Sequence, residues 1–251
     1  MFYKYVGNDN DDKVIEYLGC FVENGTMYAS KPLDFNDPAE LKIKFDFEAD
    51  FDVVRKKYFE DKPGHSEKEF FDWYDGFDDH HKWHLAYTVR EHYLTRNGIV
   101  CLTRNCDNFL MWSHYARSHT GFCIGFDESL VDCISDQALR GDVDYVDTYP
   151  CFNYFKEPLT KYVKAVFFHK GSPWKYEREF RIITDTYGPK TFDKSLIREV
   201  TLGCRASRKL QDYACQYLDS GISVYKMALS ENSYHLRKIP LKKGQYFQGD
   251  V

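Results

Sequence analysis

Residues 99–126 read IVCLTRNCDNFLMWSHYARSHTGFCIGF, and the fold class turns on them. Ile99-Val100-Cys101-Leu102-Thr103 is a short apolar run rich in β-branched residues, the mark of a buried strand. Asp107 or Asn108 then offers an N-cap for a short helix carrying Met111 to Ala116. Gly121 to Phe126 is apolar again and reads as the next strand. Beyond this core the same signals predict strands at 2–6, 26–30, 143–147, 178–184, 198–202, 222–228 and near 234–239. Arg178 to Thr184 alternates charged and apolar residues, as a half-buried strand does. Helices are predicted at 12–20, 50–60, 66–96, 129–139, 154–167 and 206–219. Ser66 and Glu69 form a capping box at the start of the third stretch, and Pro32 to Pro38 is a turn. Strands and helices mix without regular alternation. That pattern predicts an α+β fold, with a mixed, mostly antiparallel sheet core and flanking helices, rather than a doubly wound sheet. The expected organisation is a single domain over 1–251 with a helical insertion around 50–96.

The chain has 251 residues, enough to bury a substantial core without staples, and its charged fraction of 29 % is ordinary. Aromatics make up 18 %, with 20 Tyr and 20 Phe, a supply of rings for cores and for pockets that take flat ligands. The formal net charge of -5 argues against broad, non-specific phosphate binding. No CxxC pair occurs among the 8 cysteines. No signal peptide or membrane-length apolar run is visible, so the expected setting is the cytoplasm, with buried free thiols and no membrane partner. There is no GxxxxGK[ST] loop, no GxGxxG after a strand and no GxSxG elbow.

Two segments carry the chemistry. In Leu110-Met111-Trp112-Ser113-His114-Tyr115-Ala116, Trp112 or Tyr115 offers a ring to stack on a base or a nicotinamide, and His114 a hydrogen-bond donor. The structural alternative makes Trp112 and Tyr115 core anchors and His114 a cap on a carbonyl. In Trp174-Lys175-Tyr176-Glu177-Arg178-Glu179-Phe180-Arg181, a strand would put Glu177 and Glu179 on one face, where two carboxylates divide labour. The alternative is a solvated face with ion pairs to Lys175, Arg178 or Arg181. Lys4, Arg104, Arg117, Lys170, Lys175, Arg178, Arg181 and Arg205 supply positive charge, either for a pyrophosphate or as ordinary surface charge. His80 and His84 are four apart, but no third metal ligand is obvious, so no metal is expected. Asp34, Asp37 and Glu40 cluster near the Asn-Asp-Pro turn.

Tyr3-Lys4-Tyr5, Phe35-Asn36-Asp37-Pro38, Met111 to Tyr115, Gly121 with its following strand, Trp174 to Glu179 and Val200-Thr201-Leu202-Gly203-Cys204 together resemble the bacterial domain-of-unknown-function family DUF2971. The layout also resembles, more distantly, ADP-ribosyltransferases, especially the DNA-modifying toxins of the DarT type. That second resemblance implies an ADP-ribosyltransferase-like fold, with NAD as co-substrate. It implies a first-strand group at Lys4 or Tyr5, an aromatic group at Trp112 or Tyr115, and a catalytic glutamate at Glu177 or Glu179.

The expected function is therefore an ADP-ribosyltransferase-type toxin or phage-defence effector acting on nucleic acid or protein, with a cognate inhibitor or sensor protein. Glu177, Glu179 and His114 are the candidate catalytic groups. Lys4, Tyr5, Trp112, Tyr115, Trp174, Arg178 and Arg181 are candidates for binding. Two alternatives stand beside it. One is a metal-dependent nuclease-type effector using Asp34, Asp37 and Glu40; the other is a non-catalytic sensor or partner-binding domain.

Overall fold

The computed structural model describes residues 1–244. In chain order the strands are β1 (Phe2–Val6), β2 (Thr26–Ala29), β3 (Lys44–Asp46), β4 (Gly98–Thr103), β5 (Phe122–Phe126), β6 (Gln137–Asp142), β7 (Asp144–Val146), β8 (Cys151–Asn153), β9 (His169–Gly171), β10 (Glu179–Thr184), β11 (Gly188–Thr191), β12 (Ile197–Leu202), β13 (Ser223–Leu229) and β14 (Leu236–Pro240). The helices are α1 (Asp11–Val22), α2 (Phe51–Asp61), α3 (Glu67–Asp75), α4 (Asp79–Leu94), α5 (Phe109–Tyr115), α6 (Leu130–Cys133), α7 (Leu159–Phe167) and α8 (Arg208–Cys215). The chain divides into two compact units, one made of Met1–Ser30, Gly98–Asp142 and Pro173–Val251, the other of Lys31–Asn97 and Val143–Ser172.

The first unit is built on an eight-stranded sheet of order β14-β13-β12-β5-β1-β4-β10-β6. Only β12 and β13 run parallel; the other neighbours are antiparallel. The fold is thus α+β with a mostly antiparallel sheet and flanking helices, as the mixed pattern of elements predicts. The two-residue period of strands sorts the side chains. Phe2, Val100, Leu102, Ile124, Phe180, Ile182, Val200 and Val224 join Val14, Leu18 and Phe21 of α1 and Leu210 and Ala214 of α8 in the main core. Tyr3, Tyr5, Cys123 and Met227 pack with Met111 and Trp112 of α5 in a second cluster. A small β2–β11 ribbon completes the unit. The second unit holds α2, α3, α4 and α7 with two parallel strand pairs, β3–β8 and β7–β9. Part of its core is almost wholly aromatic, with Tyr58, Phe70 and Phe155 buried among Phe47, Phe59, Trp73, Tyr74, Phe77 and Tyr154.

Several elements differ from the sequence expectation. The helix expected over 66–96 is broken at Gly76, which ends α3, while the Asp78 side chain caps α4 by accepting from His81 N at 3.0 Å. The capping box of Ser66 and Glu69 is present. The helix expected over 129–139 stops at Cys133. Asp136 takes a left-handed φ of 61°, and the chain continues as β6, pairing along β10. Because β10 lies between β4 and β6, all six of its residues are buried, where a half-buried strand was expected. Strands β3 and β8, of three residues each, are too short for a pattern to announce. No disulfide joins any of the eight cysteines, and Cys133 and Cys151 are exposed rather than buried. Among the described residues no helix is long and apolar enough to cross a membrane.

Glycine is required where backbones cross behind α5. A Cβ at Gly121 would overlap the Val6 carbonyl oxygen, and one at Gly203 would overlap that of His119. Neither neighbour is a side chain that can swing aside. Gly203→Ala is expected to destabilise the first unit by about 1–3 kcal/mol or more, as overpacking does. Thermal melting against the wild type checks this, and an unchanged melting temperature would contradict the close crossing.

Candidate functional site

The site begins with how α5 is started. Asn108, rather than Asp107, is the N-cap: its Oδ1 accepts from Leu110 N at 2.9 Å and Met111 N at 3.1 Å. Helical spacing then directs Met111 and Trp112 inward, while His114 is exposed and Tyr115 half-buried. Trp112 is fully buried. Its Nε1 donates to Cys106 O at 2.9 Å, and its ring meets Tyr5 edge-on at 5.1 Å. Tyr5, also buried, donates its hydroxyl to Asn105 O at 3.0 Å. These two rings therefore brace the loop before α5 and present no open face to a ligand. Burial pushes the Tyr5 phenol far up, so it stays a neutral donor.

The helix ends in strain. Arg117, Ser118 and His119 all have positive φ, of 46°, 53° and 67°. A non-glycine residue there costs about 1–2 kcal/mol each. The turn is held by Ser118 N to Ser113 O (3.0 Å) and His119 N to Trp112 O (3.1 Å). His119 is 7 % exposed, its Nδ1 has no hydrogen-bond partner, and its ring lies 4.6 Å from that of Phe109. Burial, with a smaller contribution from Arg205, lowers its pKa. A depressed histidine pKa gives stability that is present above the unfolded value of about 6.5 and is lost as pH falls. Melting temperature is accordingly expected to drop between pH 7 and pH 5, and His119→Phe to flatten that slope. An equal slope in the variant would remove His119 from the account.

The second segment is not one strand. Ser172–Glu177 is a 3-10 turn, and β10 starts only at Glu179. Between them Arg178 is left-handed, with φ 46°. The two glutamates therefore do not form the row expected of strand neighbours. Glu179 lies in β10 opposite Thr103, which is itself opposite Tyr3 in β1. Its carboxylate takes two hydrogen bonds from Arg181, Nε to Oε1 and Nη2 to Oε2, each of 2.9 Å. The pair with Arg181 that the alternative reading offered is thus real, but it is buried: Arg181 is 0 % exposed and Glu179 6 %. Burial pushes the Arg181 guanidinium down to about 9, still charged at neutral pH. Lys4 donates to Cys101 O at 3.3 Å, and burial lowers its pKa against the opposing pull of Cys101 and Glu179.

Glu177 ends the turn before β10. It is 2 % exposed, and its Oε1 accepts from the Tyr115 hydroxyl at 2.5 Å. Its backbone carbonyl accepts from Thr103 Oγ1 at 2.5 Å. Nearby, the Trp174 ring lies 6.2 Å from His114 and 6.1 Å from Tyr176. The two segments, about 60 residues apart in sequence (|i−j| of 62 for the Tyr115–Glu177 bond), thus meet directly. His114, Tyr115, Trp174 and Glu177 come together; Lys4, Glu179 and Arg181 form a charged group within the sheet; Trp112 and Tyr5 lie beneath.

Most of the predicted basic residues have structural employment. Arg104 pairs with Asp142 at 3.3 Å and covers Phe2, Arg117 pairs with Asp9, and buried Lys170 lies 3.6 Å from Glu40. Lys175 and Arg178 are exposed beside the aromatic group. Among the described residues no three His, Cys, Asp or Glu side chains converge as metal ligands. Asp37 instead accepts from Ala39 N at 2.8 Å, closing the turn. Sequence reasoning missed Thr103, for which a threonine ending an apolar strand carries no signal, and His119, whose burial depends on the crossing of distant segments.

These features define an α+β protein with a mostly antiparallel sheet, in which the turn before β10 sets a buried carboxylate against a half-buried tyrosine beside a group of rings. Residues 111–182, which contain both segments except Leu110, match the family described as "Protein of unknown function (DUF2971)", so the resemblance seen in the sequence holds over that span. No curated protein and no solved structure matches the chain.

Proposed function

We propose that the chain is an ADP-ribosyltransferase-type enzyme, a toxin or defence effector of the cytoplasm, which moves ADP-ribose from NAD to a nucleic-acid or protein acceptor. A cognate inhibitor or sensor protein would keep such an activity in check. The reading rests on one observation above the rest: the 2.5 Å hydrogen bond from Tyr115 to Glu177, which joins the two aromatic–polar segments around a carboxylate.

The chemistry follows from that pair. Cleavage of the bond between nicotinamide and ribose C1′ sends the bonding electrons to nicotinamide and leaves positive charge on the ribose. A fixed carboxylate in a poorly solvated place stabilises that charge strongly. Glu177 is the group for this work, since its hydrogen bond from Tyr115 joins it to the segment that carries the exposed His114. Tyr115 holds the carboxylate in place. Trp174 and His114 offer ring surface to the nicotinamide or the acceptor base, and Arg178 and Lys175 offer positive charge to the pyrophosphate. The acceptor then bonds to C1′ and loses its proton, and walls that exclude water favour transfer over hydrolysis.

Incubation of the protein with NAD labelled in its adenylate half, together with total nucleic acid or cell lysate, tests the proposal. Nicotinamide release with label carried to an acceptor is expected. Neither release nor transfer from the folded wild-type protein would refute it, whereas chelator-sensitive cleavage of nucleic acid would favour the nuclease reading.

A further inference from the structure

We infer that Thr103 is a positioning residue that determines where the Glu177 carboxylate stands; the inference rests on the transferase reading above. Thr103 ends β4 and is 2 % exposed. Its hydroxyl does two things at once. It donates to Glu177 O at 2.5 Å and accepts from Asn105 N at 3.1 Å. One residue further, Arg104 N donates to Arg178 O at 3.4 Å. Two consecutive residues at the end of β4 therefore hold two consecutive carbonyls of the bend that leads into β10.

The bend matters because Arg178 is left-handed, with φ 46°. An arginine does not hold that conformation by preference. With Arg178 extended, β10 would begin earlier, and Glu177 would become a regular strand residue instead of closing the turn. The latch from Thr103 holds the Glu177 carbonyl in that turn, and with it the place from which the side chain meets Tyr115. The same hydroxyl fixes Asn105, whose carbonyl receives the Tyr5 hydroxyl, and the next carbonyl, of Cys106, receives Trp112 Nε1. One buried side chain thus links the carboxylate segment to the loop that seats α5.

Thr103→Val removes the hydroxyl and keeps the shape; Thr103→Ser keeps the hydroxyl. The kcat for nicotinamide release from NAD is expected to fall about 10–100-fold in Thr103→Val, with KM within about twofold, because a small misplacement of a reacting group costs that much. Thr103→Ser is expected to retain kcat. Where Thr103→Val does not fold, Thr103→Ala takes its place in the comparison with Thr103→Ser. Wild-type kcat in the folded variant that lacks the hydroxyl, or a change confined to KM, overturns the positioning role and leaves the transferase reading intact. A wild-type protein that releases no nicotinamide overturns that reading and this inference together.

Discussion

Glu177→Gln is expected to lower nicotinamide release by about 100–1,000-fold, the scale of losing one electrostatic contact to a developing charge, while the melting temperature stays near that of the wild type. The two halves of this expectation have separate causes. Glutamine keeps the shape and a carbonyl oxygen that still accepts from the Tyr115 hydroxyl, so the contact between the segments survives. It lacks the negative charge, which in the proposed reaction is what counters the cation on ribose. Tyr115→Phe leaves the charge and removes its tether, so a smaller loss is expected. Steady-state release of nicotinamide and a thermal melt on the same preparations check both halves. Equal turnover in Glu177→Gln and wild type would move the reaction away from Glu177.

Glu179→Gln is expected to do the opposite, with stability as the main casualty. Arg181 is 0 % exposed and its bidentate partner is Glu179. Removing the negative member of a buried ion pair withdraws its charge from a desolvated guanidinium and typically costs about 3–5 kcal/mol. At roughly 2–4 °C per kcal/mol for a chain of this size, the melting temperature should fall by about 10 °C. Replacing both members at once, as Glu179→Leu with Arg181→Met, is expected to recover much of that loss, since it removes the buried guanidinium along with the carboxylate. Denaturation curves of the single and double variants form the test. A single variant as stable as the wild type would mean that the pair is not holding β10 in the sheet. Together the two substitutions separate a carboxylate that works from one that supports, though they sit two residues apart.

Much of the frame was legible in the sequence. The apolar runs at 99–103 and 121–126, the cap before α5 and the capping box at Ser66 depend on neighbours a few residues away, and each appears as expected. The expectation failed where distant pairing overrode local pattern. Residues 137–142 sit in a stretch that reads as helix but become β6 because β10 offers a ladder to pair with. The alternation in 179–184 suggests one wet face, yet strands on both sides and covered faces bury it entirely.

The candidate site divides in the same way. Residue types and spacing were enough to single out Trp112, His114, Tyr115, Trp174, Glu177 and Glu179, because aromatic rings beside ionisable groups are visible without coordinates. Spacing treats Glu177 and Glu179 as equivalents. The left-handed turn at Arg178, the latch from Thr103 and the claim of Arg181 on Glu179 make them different. Sequence alone determined which residues have the chemistry, since that belongs to the side chain itself. Only tertiary structure decided that Glu177 meets Tyr115 and that Thr103 holds its carbonyl, because those contacts join segments far apart along the chain.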